Sequence, residues 1–147
     1  MTKALPPKSL VLYADDDTDD IDLVRELFTP YELLIDLVTF SNGKALLNYL
    51  HRQPALHPRP CLIILDVNMP VMGGTQTLKA LRQLDDYTDV PVVLFTTSTQ
   101  PHEAAYAEAH GAGFITKPVH TAQLQQLVDS MLHYCTTASR KKFGNGR

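Results

Sequence analysis

Five aspartates occupy six positions in Asp15-Asp16-Asp17-Thr18-Asp19-Asp20, directly after the apolar run Ser9 to Ala14. Three more apolar runs end in chemically able residues. Cys61 to Leu65 is followed by Asp66, Val90 to Phe95 by Thr96, Thr97 and Ser98, and Gly113 to Thr116 by Lys117. Carboxylates gathered in one crevice repel, and one takes up a proton unless a cation is present. An oxygen-only ligand set with no nearby His or Cys selects a hard cation such as Mg2+, which keeps several waters and accepts one or two carboxylates plus phosphate oxygens. The Thr96 hydroxyl and the Lys117 ammonium suit two oxygens of a phosphoryl group. An aspartate at the centre of such a set resembles a carboxylate nucleophile that becomes an acyl phosphate, and catalysis there would be by positioning and charge neutralisation.

For these residues to meet, the runs between them must form particular elements. Ser9 to Ala14 reads as strand 1. In TDDIDLVRELF, Ile21, Val24, Leu27 and Phe28 share one helical face, with Asp17 or Thr18 as cap and Pro30 marking the end. Leu33 to Phe40 reads as strand 2, and Ser41 caps a helix that buries Leu46, Leu47 and Leu50. Pro54 to Pro60 is a connecting loop. CLIILD is apolar without alternation, as a strand covered on both faces should be. After the turn VNMPVMGG come a helix in TQTLKALRQL and a fourth strand, Val90 to Ser98. An alanine-rich helix follows and ends at Gly111. Gly113 to Lys117 forms strand 5, and a last helix places Leu124, Leu127, Val128, Met131 and Leu132 at helical spacing.

Strands alternating with helices imply an α/β fold, a parallel sheet wound on both faces by right-handed crossovers. The chain length favours the flavodoxin-like strand order 2-1-3-4-5, in which ligands sit outside the carboxyl ends of the strands beside strand 1. That order brings Asp15, Asp16 and Asp66 to one crevice, with Thr96 and Lys117 on its far side.

Composition narrows the rest. The 147 residues fit one domain, and the net charge of -3 provides no global attraction to nucleic acid or to an anionic membrane. Residues 1–8 read as an N-terminal extension, 9–135 as the domain and 136–147 as a basic polar tail, too short for a DNA-binding output domain. The start of the chain lacks the apolar stretch of a secretion signal, and no segment is long enough to span a bilayer, so a reducing cytoplasm is expected. Cys61 and Cys135 follow no metal spacing. Cys61 reads as a small core hydrophobe, with no disulfide expected. The histidines at 51, 57, 102, 110, 120 and 133 show no ligand spacing and read as surface residues. Asp17, Asp19, Asp20 and Asp22 fall at the start of helix 1, where carboxylates favour the helix dipole, and the last three read as structural.

LYADDD, LIILDVNMPVMGG, PVVLFTTS and FITKP, in this order on these elements, resemble the receiver domain of two-component response regulators over about Ser9 to Tyr134. The resemblance implies phosphorylation of Asp66, with Mg2+ held by Asp15, Asp16, Asp66 and the backbone carbonyl of Asn68. It implies Thr96 as the switch hydroxyl, Lys117 as the family's lysine, Phe114 as an aromatic switch working by packing alone, and a cis Lys117-Pro118 peptide. The phosphodonor would be a sensor histidine kinase or a histidine phosphotransfer protein. The surface of helix 4, strand 5 and helix 5 would then engage a partner or a second copy, with neither nucleic acid nor membrane involved. A stand-alone form with a Pro-rich loop before strand 3 resembles small regulators paired with hybrid or phytochrome-type kinases. A receiver of this kind is a signalling domain rather than an enzyme.

Two other classes are weighed. A phosphohydrolase of the haloacid dehalogenase type places a general-acid Asp two residues after its nucleophile, where this chain has Asn68. A receiver-like binding module that is never phosphorylated would not need the full set Asp15, Asp16, Asp66, Thr96 and Lys117.

Overall fold

Apolar runs without alternation become strands here because the sheet is buried on both faces. A computed structural model describes residues 8–52, 59–98, 100–118, 120–133 and 135. The strands are β1 (Ser9–Ala14), β2 (Ile35–Phe40), β3 (Pro60–Leu65), β4 (Val92–Thr96) and β5 (Gly113–Thr116). Between and after them lie α1 (Thr18–Leu27), α2 (Gly43–Arg52), α3 (Gly74–Arg82), α4 (Pro101–Ala109) and α5 (Thr121–Met131). All pairings are parallel and the order is β2-β1-β3-β4-β5, the doubly wound arrangement expected.

Alternate strand residues feed two cores. Leu10, Leu12, Ile63, Leu65, Val92 and Leu94 pack against α2, α3 and α4, through Leu46, Leu50, Leu78, Leu81 and Ala107 among others. Val11, Tyr13, Leu62, Ile64, Val93 and Phe95 point the other way, to Val24, Phe28, Leu124, Val128 and Met131 of α1 and α5. Register then positions the polar ends. Ala14 is paired with Leu65 and Thr96 with Thr116, so Asp15 and Asp66 emerge side by side and Lys117 leaves the sheet next to Thr96. Backbone bonds continue the ladder past these ends, from the Asp66 N–H to the Ala14 carbonyl at 3.0 Å and from the Lys117 N–H to the Thr96 carbonyl at 2.7 Å.

Several expectations are corrected. β2 begins at Ile35 rather than Leu33, because Thr29–Tyr31 forms a 3-10 turn and the Leu34 N–H closes back on the Tyr31 carbonyl at 2.8 Å. β4 begins at Val92 rather than Val90, after Pro91, which has no N–H to offer a ladder. Its predicted end shortens too, since Thr97 and Ser98 lie beyond the last paired residue. Asn42, not Ser41, caps α2, accepting the Ala45 N–H at 2.8 Å. Asp17 is the cap of α1.

The cysteine reading is overturned as well. Cys61 in β3 and Cys135 beyond α5 form a disulfide across 74 residues of sequence, with Cα atoms 4.8 Å apart. Nothing local announces this pairing. It arises because α5 packs into the same core as Leu62 and Ile64 of β3, and the chain just past the helix reaches the strand's beginning. The expected loop from Pro54, the N-terminal extension and the basic tail lie mostly outside the described residues. Among the described residues, no helix is long and apolar enough to cross a membrane.

Candidate functional site

Asp15 is fully buried one residue past β1, and both its oxygens are engaged. Oδ1 accepts the Asp17 N–H at 2.9 Å, while Oδ2 accepts the Tyr13 hydroxyl at 2.6 Å and the Lys117 ammonium at 2.7 Å. Asp16 is exposed at the crevice mouth. Carboxylate oxygens of Asp15, Asp16 and Asp66 all lie within 4.8 Å of one another, a spacing that fits one hard cation.

Asp66, at the end of β3, is nearly inaccessible, and its carboxyl is pushed up to about 6. Burial is the main cause; Lys117 opposes it, the Asp15 charge adds to it, and the Val67 N–H and Thr96 hydroxyl oppose it. A carboxyl held this way bears a desolvation cost as an anion, which a divalent cation would relieve. Its position is set from below by Gly74, where a Cβ would sit 2.3 Å from the Asp66 carbonyl oxygen. The intervening loop holds Asn68 with an exposed side chain. It also holds Val71 at φ 75°, a conformation that costs a β-branched residue about 1–3 kcal/mol.

Lys117 reaches three carboxylates, with Nζ 2.7 Å from Asp15 Oδ2, 2.8 Å from Asp20 Oδ2 and 3.6 Å from Asp66 Oδ1. Burial alone would lower its pKa, but the hydrogen bonds to Asp15 and Asp20 and the charges of Asp15 and Asp66 outweigh that and raise it. The ammonium also lies 5.6 Å from the centre of the Phe95 ring. Thr96 is fully buried, and its hydroxyl oxygen accepts the Ser98 N–H at 3.1 Å, whereas Thr97 is exposed. Phe114 is half-buried against the core shared with α4.

Asp15, Asp16, Asp66, Thr96 and Lys117 therefore come to one end of the sheet. Asp20 joins them, against the expectation that it is merely structural. As the third residue of α1 it points back over the crevice, and a buried lysine needs more than one counter-charge. Tyr13 is a second residue that sequence reasoning missed. It lies two positions before Asp15, and where the chain continues the alternation of β1 that spacing puts both side chains on one face. The Lys117-Pro118 peptide is trans, a correction that follows the lower-energy isomer of such bonds.

The profile of the response regulator receiver domain matches residues 11–129. Response regulator Rcp1 of Synechocystis sp. is 31% identical over 129 residues, covering 86% of this chain and 87% of that protein. The structure of the Mn2+-bound form of response regulator Rcp1 superposes with a TM-score of 0.75 at 28% identity, over 86% of this chain and 92% of that one. The phosphorylated cyanobacterial phytochrome response regulator RcpA shares the fold with a TM-score of 0.80 at 24% identity, over 90% of this chain and 96% of that one. Longer relatives also match, and the chain spans between a third and a half of their length. With a match over most of its length and the strand order and acidic crevice described above, the chain belongs to the response regulator receiver domain family.

Proposed function

We propose that the chain is a phosphoryl acceptor in two-component signalling, with Asp66 as the nucleophile. The observation that carries this reading is the state of Asp66: a carboxyl buried at a strand end, raised to about 6, beside one ammonium and two further carboxylates. An Asp66 oxygen attacks phosphorus, the bond from phosphorus to the donor nitrogen or oxygen breaks, and that atom keeps the electron pair. The donor is a phosphohistidine of a sensor kinase or phosphotransfer protein.

Asp15, Asp16, Asp66 and the Asn68 carbonyl would hold Mg2+. When bound there, the cation would supply positive charge to offset the crevice carboxylates and an incoming phosphoryl group. Asp15 has little coordination capacity to spare, since Tyr13, Lys117 and Asp17 already occupy its oxygens. Asp16 and Asp66 would therefore be the carboxylates freest to ligate it directly. Thr96 turns its hydroxyl to the new phosphoryl group and Phe114 packs inward behind it. The surface of α4, β5 and α5 then binds a partner or a second copy. The functional unit runs over 9–135, and a cytoplasmic place of action would put the Cys61–Cys135 bond under reducing conditions that favour its opening.

Labelling with radioactive acetyl phosphate and Mg2+ tests the assignment. Wild type incorporates label and Asp66→Ala does not; equal incorporation by both would remove Asp66 from its role.

A further inference from the structure

The Lys117 ammonium has three N–H bonds, and two are already committed to Asp15 and Asp20. The third faces Asp66 across 3.6 Å, beyond hydrogen-bond reach. A phosphoryl group on Asp66 offers further anionic oxygens on that side, so Nζ is drawn from its present pair toward Asp66 for a charge-assisted bond. The two existing anchors do not yield equally. Asp15 is sealed in the sheet, held by the Tyr13 hydroxyl and the Asp17 N–H, and stands beside Asp66 on the neighbouring strand. Asp20 sits on α1 with a third of its side chain open to water, so its carboxylate can be solvated once released. Phosphorylation replaces a carboxylate by a group of higher negative charge, which strengthens the pull on Lys117. The Asp20 contact is the one to lengthen.

We propose that Asp20 is a positioning residue that tethers Lys117 to the first turn of α1 in the unphosphorylated protein and releases it on phosphorylation, making the amino end of α1 a second switching surface. The switching half of this inference rests on Asp66 being the acceptor. α1 suits the role, because its first turn rests on few contacts: the packing of Ile21 against the core, the Asp17 cap and the Lys117 ion pair. The Asp17 cap satisfies the Asp19 and Asp20 N–H groups, and Lys117 is the cross-sheet ion pair of that turn among the described residues. Asp19, in the same turn and exposed, carries the same charge without touching Lys117, so it separates the tether from general electrostatics.

The test uses the full chain with Asp20→Asn, Asp19→Asn and wild type. Nitrogen-15 NMR of lysine ammonium groups is read before and after Mg2+ and beryllofluoride, with amide hydrogen exchange over the first turns of α1. In the resting protein, Asp20→Asn shifts or loses the Lys117 signal, while Asp19→Asn leaves it as in wild type. Beryllofluoride speeds exchange at the start of α1 several-fold in wild type and in Asp19→Asn. Asp20→Asn is already fast and gains nothing further. Unchanged exchange in beryllofluoride-loaded wild type, or identical behaviour of the two variants, overturns the tether. Fluorine-19 NMR reports whether beryllofluoride is bound at all. Its failure to bind would fell the acceptor reading and the switching half with it, whereas the resting ammonium signal would still decide whether Asp20 holds Lys117.

Discussion

The Tyr13 hydroxyl donates to Asp15 Oδ2 at 2.6 Å from a side chain with no exposed surface, so a phenol in the α1/α5 core anchors the acidic crevice. Burial, followed by the Asp15 charge and hydrogen bond, raises the Tyr13 pKa, and the phenol stays a donor throughout the accessible pH range. Tyr13→Phe keeps the ring and removes this bond, leaving Oδ2 to Lys117 alone. A buried bond to a charged acceptor supports a loss of about 1–3 kcal/mol, to be read as a lowered midpoint in denaturant. An unchanged or raised midpoint would show that the phenol only fills space.

The pH response of Asp66 has a definite sign. Its folded pKa, about 6, lies above the ordinary 3.8, so between these values the folded state binds more protons than the unfolded one. Stability of the metal-free protein from this group is full below pH 4 and declines as pH rises toward 6. At neutral pH the ionised Asp66 costs on the order of 1–2 kcal/mol, reduced from the full shift by residual solvent. Asp66→Asn is therefore expected to stabilise the protein in EDTA at pH 7 and to make little difference at pH 4. Thermal unfolding at the two pH values decides this, and a variant less stable at pH 7 would reverse the sign.

Added Mg2+ should act on the same deficit from the other side. Binding to the folded state alone stabilises by about 2.7 kcal/mol at a hundredfold excess over Kd. The midpoint of wild type in Mg2+ should therefore exceed its midpoint in EDTA, and Asp16→Ala should lose most of the difference. A full metal response in that variant would place the cation elsewhere.

Gly74 and Asp66 are coupled through the backbone. A Cβ at Gly74 meets the Asp66 carbonyl oxygen at 2.3 Å, and because that atom is main chain it cannot swing aside. Gly74→Ala is expected to cost about 1–3 kcal/mol as an overpacked contact and to slow acetyl phosphate labelling by displacing Asp66. Labelling at the wild-type rate would show that the strand end absorbs the methyl group without moving.

The Cys61–Cys135 bond closes a loop over a sequence separation of 74 and ties the end of α5 to the start of β3. The chain-entropy account assigns such a loop about 4 kcal/mol, lost on reduction or in the double Cys→Ser variant. Thiol titration of the denatured, unreduced protein should find no free thiol. Two titrating thiols and an unaltered midpoint on adding reductant would contradict it.

Most of the architecture was legible in the sequence because it rests on local signals. Apolar runs without alternation announced buried parallel strands, and the helical spacing of Val24 and Phe28, or of Leu124, Val128 and Met131, announced the faces that cover them. The rule that polar residues at strand carboxyl ends converge was sufficient to gather Asp15, Asp16, Asp66, Thr96 and Lys117. Boundaries failed where short-range chemistry competed, as when Asn42 rather than Ser41 took the α2 cap and the Thr29–Tyr31 turn displaced the start of β2.

What the tertiary structure alone decided are pairings between residues far apart in the chain. Lys117 needed its counter-charges chosen, and only the placement of α1 beside the crevice selects Asp20 while leaving Asp19 in solvent. Cys61 and Cys135 carry no spacing signal, and only the packing of α5 into the core that β3 shares makes them partners. The sequence by itself determined which residue types stand at the ends of which strands, since that follows from periodicity. Which of those side chains touch depended on helix placement, set by the packing of both cores together.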